Sequence, residues 1–164
     1  MLEQFRHQIY ACSRCGFCRV WGWQGVENIC PLYPFMPGWE SQYARGRVRL
    51  ARATLEHEIK VTPQLLEHAM ACTLCGNCQA HCPVGVPLRE IFHAWRVDLA
   101  TEGHMLPAHQ AVIPFLERYR NPYGPPAEAE AAAPPPPRKV SVLYYPGCTT
   151  NRMAPEITEA VASI

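Results

Sequence analysis

Apolar side chains recur at helical spacing over several stretches of this chain. Leu2, Phe5 and Ile9 share one face, which predicts a short amphipathic helix leading into the first cysteines. Val48, Ala51, Leu55 and Ile59 predict a second helix between about Ser41 and Ile59, with Arg and Glu on its other faces. Thr62-Pro63 has the chemistry of a helix start, Thr as N-cap and Pro at the first position, and opens a helix over 64–71. Pro87 opens another, where Leu88, Ile91, Phe92, Trp95 and Leu99 form a wide apolar stripe and Gly103 supplies the stop. A further helix over 108–119 contains Pro114, which should kink or interrupt it.

Between these helices the pattern breaks. Residues 12–33 read as loop, punctuated by Gly16, Gly22, Gly25 and Pro31, and Pro34, Pro37 and Gly38 extend the irregular stretch. Residues 121–138, with four consecutive prolines at 134–137, read as a semi-rigid linker. Residues 139–148 then read as a β-strand ending in a turn, and 155–164 as a helix. This divides the chain into a cysteine-rich helical unit over 1–120, a tether over 121–138 and an incomplete α/β segment over 139–164. A strand and helix of that size cannot bury a core alone. The expectation is that the natural chain continues past Ile164.

Composition changes the picture at one point, the nine cysteines. Charge does not: 15 Lys+Arg against 14 Asp+Glu give a net +1, which makes no electrostatic case for nucleic acid or an anionic membrane as partner. No apolar run approaches the roughly 20 residues needed to span a bilayer. The first residues, Met1 to His7, lack the apolar stretch of a signal peptide. The expected location is therefore cytoplasmic, at a membrane only through a partner, and in that reducing compartment clustered cysteines are metal ligands rather than disulfides.

Cys72-Thr-Leu-Cys75-Gly-Asn-Cys78-Gln-Ala-His-Cys82-Pro83 is the C-x2-C-x2-C-x3-C-P run of bacterial-type [4Fe–4S] binding. Three closely spaced thiolates wrap one cubane, and the fourth Cys points away to complete the other cluster of a pair. The first group has the same triplet, Cys12, Cys15 and Cys18, but its Cys30-Pro31 follows only after eleven intervening residues. Crosswise assignment gives one cluster to Cys12, Cys15, Cys18 and Cys82, and the other to Cys72, Cys75, Cys78 and Cys30. Eight cysteines thus supply two complete sites. Zinc is the main rival, but it would use paired C-x2-C units, and here each unit has a third Cys and a following Cys-Pro. Three other readings stay open: a disulfide scaffold, clusters that only brace the fold, and a first site left empty by its long gap.

With Ser41-Gln-Tyr-Ala-Arg-Gly-Arg47 and a helix between them, the two cysteine groups resemble the α-helical ferredoxin module of heterodisulfide reductase-type iron–sulfur proteins. The iron–sulfur subunits of heterodisulfide reductase, and those of glycolate and lactate oxidases, are similar. The resemblance covers residues 5–105. It implies a mainly α fold, an α-helical ferredoxin with two [4Fe–4S] clusters. The stretched gap before Cys30 departs from the commonest form. Val142-Leu-Tyr-Tyr-Pro-Gly-Cys148 resembles the opening of the cysteine-rich CCG domain that follows this module in the same proteins. There the first Cys belongs to a set binding a further iron–sulfur centre. Cys148 matches that position, but the chain ends sixteen residues later, so here Cys148 reads as a buried or free thiol.

Trp21, Trp23, Tyr33, Phe35 and Trp39 crowd the first cysteine group, either as a shield that keeps water off a cluster or as a docking face. Arg45, Arg47, Arg49 and Arg52 read as a solvated helix face; the alternative is that Arg45 and Arg47 offset cluster charge or steer an acidic partner. His81 reads as a spectator beside Cys82, and His57, His68, His93, His104 and His109 as surface residues. The chain has no G-x-G-x-x-G, P-loop or nucleophile elbow, and no catalytic residue is assigned. Electron transfer within a multi-subunit oxidoreductase follows as the expected function. The implied partners are a flavoprotein such as a 2-hydroxy-acid oxidase, a hydrogenase-type assembly, or a membrane quinone-linked subunit. Two alternatives are the catalytic subunit of a heterodisulfide reductase-like thiol/disulfide reductase and a zinc-stabilised interaction module.

Overall fold

A computed structural model describes residues 1–19, 28–125 and 143–163. Trp21, Trp23, the prolines at 134–137 and positions 139–142 of the expected strand lie outside the described residues. The fold is mainly helical. The chain divides into two compact units, Met1–Leu106 and Pro107–Ile164.

In the first unit a 3-10 turn, Leu2–Phe5, runs into α1 (Arg6–Ala11). Two further 3-10 turns, Tyr33–Phe35 and Glu40–Gln42, precede α2 (Ala44–Leu55). Then come α3 (Pro63–Met70), the single turn α4 (Asn77–Ala80) and α5 (Leu88–Thr101). The Thr62 hydroxyl accepts the Leu65 N–H at 3.2 Å, the N-cap predicted from Thr-Pro. Gly103 stands at φ 85°, the left-handed stop beyond α5. The core is built where α2 and α3 lie on α5: Val48, Ala51, Leu65, Leu66, Ala69, Ile91, Phe92, Trp95 and Leu99 are buried, joined by Leu2 and Ile9. Cys12, Cys18, Cys72, Cys78 and Cys82 are half-buried against the same cluster, so the cysteine loops rest on the core that fixes them.

Gly46 explains why the 3-10 turn at Glu40 can sit so close to α2. A β-carbon at Gly46 would stand 1.9 Å from the Glu40 carbonyl oxygen. Alanine is worth roughly 1 kcal/mol more than glycine inside a helix. Here Gly46→Ala should instead destabilise, by about 1–3 kcal/mol as other overpacked sites do, measured by urea unfolding of the iron-loaded protein.

In the second unit α6 (Pro107–Tyr119) runs through Pro114 without interruption. The helix buries no residue, so solvent can satisfy the carbonyl that Pro114 leaves unpaired. The expected strand is not formed where it can be seen. Residues 143–146 are irregular, and Gly147, expected in a turn, opens α7 (Gly147–Met153), followed by α8 (Pro155–Ala162). A strand needs a neighbour to complete its hydrogen-bond ladder, and the described residues contain no strand to supply one. Among them no helix is long and apolar enough to cross a membrane.

Candidate functional site

The two cysteine triplets fold alike. In the first, Arg14 and Gly16 have φ of 58° and 89°; in the second, Leu74 and Gly76 have 56° and 80°. Both loops therefore turn left-handed at the same two positions, and at one of these each uses a non-glycine residue that the conformation penalises. Such a backbone reverses sharply enough to aim successive thiols at one centre. Gly76 then caps α4, which carries Cys78.

Each triplet lines its own cavity, and each cavity receives its fourth Cys from the other motif. Cys12, Cys15 and Cys18 line one together with Cys82. Cys72, Cys75 and Cys78 line the other together with Cys30. Cys18 lines both, so the cavities adjoin. The thiols stand around cavity walls, and among the described residues no three His, Cys, Asp or Glu side chains converge tightly enough to hold a single metal ion.

The long gap does not displace Cys30, because its ends meet. The Ile29 N–H donates to the Arg19 carbonyl at 3.1 Å. The Asn77 side-chain amide donates to the Ile29 carbonyl at 2.6 Å, tying the Cys30 segment to the second motif. Sequence reasoning missed Asn77, although it sits inside the Cys72–Cys82 run.

Backbone N–H groups point at several of the sulfurs, among them Leu74 N–H at Cys72 Sγ and Val86 N–H at Cys82 Sγ, each at 3.4 Å. Burial pushes the Cys18 thiol up to about 11, with the neighbouring Cys12 and Cys15 adding to the effect. Burial likewise pushes Cys78 up to about 12, with Cys72, Cys18, Cys75 and Cys30 in support. Cys15 is exposed and held below its ordinary value, chiefly by the Phe17 backbone N–H. Crowded, half-buried thiols that raise one another in this way become stable thiolates when positive metal charge shares them.

Arg14 and Arg45 line the first cavity, Arg47 and Arg89 the second, and Arg96 lies behind the second motif. Arg45 lines the first, donates to the Arg14 carbonyl at 3.2 Å and pairs with Glu40 at 2.6 Å. Glu40 also pairs with Arg19, whose guanidinium lies 4.9 Å from the centre of the Tyr43 ring. Arg96 secures the start of the second motif, donating from Nε to the Ala69 carbonyl at 2.8 Å and from Nη2 to the carbonyls of Met70 and Cys72. Arg47 lines the second cavity and is only 2% exposed. Its Nε donates to the His68 carbonyl at 2.8 Å, while its buried Nη2 has no acceptor among the described residues. The solvated-face reading therefore fails at Arg47, although Arg49 is exposed and Arg52 lies over Tyr10. An orphaned guanidinium nitrogen on Arg47 and five thiols lining one cavity fit an anionic, sulfur-bearing group.

Residues 8–86 match the family model of the 4Fe-4S dicluster domain. The chain is 29% identical to the glycolate oxidase iron-sulfur subunit of Escherichia coli (strain K12), across 94% of this chain and 42% of that protein. It is 29% identical to one subunit of the dihydromethanophenazine:CoB--CoM heterodisulfide reductase of Methanosarcina barkeri, across 88% of this chain and 38% of that one. With one subunit of the H(2):CoB-CoM heterodisulfide,ferredoxin reductase of Methanothermobacter thermautotrophicus it shares 32% identity, over 64% of this chain and 48% of the relative. The chain thus spans less than half the length of these curated relatives. No solved structure matches it. The chain is similar to the iron–sulfur subunits of heterodisulfide reductases and of glycolate oxidase, and these relatives support a part in electron transfer within an oxidoreductase.

Other candidates fall outside the cavities. Phe35 and Trp39 are 83% and 68% exposed and line neither cavity, so they do not shield one. Tyr33 stacks on Tyr43 with centroids 5.4 Å apart. The His81 ring nitrogen Nδ1 lies 2.9 Å from the Asn77 carbonyl. Cys148 is exposed in the second unit, beside Arg120 and Arg152.

Proposed function

We propose that this chain carries single electrons through two [4Fe–4S] clusters for a multi-subunit oxidoreductase. Cys12, Cys15, Cys18 and Cys82 hold one cluster, and Cys72, Cys75, Cys78 and Cys30 hold the other. The observation that carries this reading is the pair of adjoining cavities, each lined by three thiols of one motif and the fourth of its partner. When bound, each cluster supplies a one-electron couple. The chain's residues do the rest. Backbone N–H groups at Leu74 and Val86 solvate sulfur, the arginines balance charge, and the helical core excludes water from one side.

The electron donor and acceptor belong to other subunits. The sequence has no dinucleotide or flavin signature. The relatives include subunits of a glycolate oxidase and of heterodisulfide reductases. The partner that fits is a flavoprotein or another redox subunit which splits electron pairs into single steps, and the cytoplasm is the setting. Anaerobic titration with dithionite, followed by the visible absorption near 400 nm, tests this. Uptake of one electron per cluster, and their return on adding an oxidised viologen or flavoprotein, is the expected result. An iron-loaded chain that neither bleaches nor re-oxidises would leave the clusters a bracing role only.

A further inference from the structure

The two cavities differ in the charge that faces them. Beside the first, Arg45 pairs with Glu40, which sits 2.6 Å from Arg45 Nη2 and 2.8 Å from Nε and is shared with Arg19. Arg14, also on the wall, is exposed, so water screens its charge. Beside the second, Arg47 is buried, and no described carboxylate pairs with it. Its neighbours are thiols. Cys72, Cys30 and Cys78 pull its proton affinity up against the burial that lowers it. Arg96, half-buried on the Cys72 carbonyl, adds a second cation on the same side. An unpaired buried cation is costly unless a counter-charge occupies the space it faces. A thiolate-ligated cluster carries net negative charge and gains one more unit on reduction. A fixed positive charge beside it therefore favours the reduced form, and the effect is strong where water is excluded.

We propose that Arg47 makes the cluster of Cys30, Cys72, Cys75 and Cys78 the higher-potential one of the pair, so that an electron entering the chain comes to rest there. The proposal rests on the two-cluster reading above. Arg47 acts as a positioning and charge-setting residue: Nε is anchored on the His68 carbonyl, which fixes the guanidinium of a side chain that lines the cavity. The first cluster, facing a paired Arg45 and a solvent-exposed Arg14, is the relay. The charge pattern thus gives the electron a direction, from the Cys12–Cys82 side toward the Cys30–Cys78 side.

The test is a redox titration of anaerobically purified protein, followed by EPR, on wild type, Arg47→Lys, Arg47→Gln and Glu40→Gln. Wild type should titrate in two waves. Arg47→Gln should move the upper wave to more negative potential and leave the lower one in place. Arg47→Lys, which keeps the charge, should recover most of that shift. Glu40→Gln frees the Arg45 charge beside the other cavity and should raise the lower wave, bringing the two together. An upper wave unmoved in Arg47→Gln, or a lower wave unmoved in Glu40→Gln, overturns the proposal. So would loss of iron from both Arg47 variants with helicity retained, since Arg47 would then serve assembly and not potential. Wild-type protein with fewer than two iron–sulfur signals refutes the two-cluster reading itself, a result separate from any shift at Arg47.

Discussion

Cys30→Ser should leave the protein with half of its iron, falling from about eight to about four atoms per chain. The loss should come from the cluster of Cys72, Cys75 and Cys78, although Cys30 follows Cys12–Cys18 in sequence. The reason is spatial: Ile29 and Cys30 are held against the second motif by Asn77, and Cys30 faces its three thiols. Double substitutions separate crossed from sequential ligation. Cys30→Ser combined with Cys75→Ser removes two ligands of one cluster, so it should cost no more iron than either change alone. Cys30→Ser combined with Cys15→Ser should strip both sites. The reverse pattern would mean that each motif keeps its own fourth Cys.

Removing the iron altogether should unfold most of the first unit. Treatment with ferricyanide and chelator is expected to abolish the cooperative thermal transition and much of the far-UV helical signal. The binding free energy of such a site is folding free energy, and it is far larger than the roughly 1 kcal/mol of a single helix cap. Three features make the iron-free fold unfavourable. Five cysteines pack half-buried on the core. Arg14 and Leu74 are held left-handed, and Arg47 is buried without a counter-charge among the described residues. A stripped protein that melts as cooperatively, and at the same temperature, as the loaded one would show that the helices support the cavities unaided.

Most helices of the first unit were legible because their signals are local, although α2 ends at Leu55, leaving Ile59 exposed beyond it, and the turn Asn77–Ala80 was not foreseen. Leu88, Ile91, Phe92, Trp95 and Leu99 repeat at helical spacing, and Thr62-Pro63 and Gly103 mark ends by their own backbone chemistry. The expected strand rested on residue preference alone, which decides nothing without a neighbouring strand. Burial of Arg47 could have been read. It shares a helical face with Ala44, Val48 and Ala51, all buried, and only its charge argued for the surface. Arg96 and Asn77 could not. Each acts through a backbone carbonyl brought to it by the fold, Arg96 on Ala69 and Asn77 on Ile29, and no spacing in the sequence encodes those meetings. The cysteine motifs are the opposite case, since their chemistry lies in the spacing itself. Even there, the closing of the long gap by Ile29 and Arg19 appears only in three dimensions.

Iron and acid-labile sulfide, measured on anaerobically purified protein beside an EPR spectrum after dithionite reduction, test the central claim most directly. The account predicts about eight irons and eight sulfides per chain, with signals of two magnetically coupled [4Fe–4S] clusters. Zinc in place of iron, with no labile sulfide, would contradict it and leave a structural metal module.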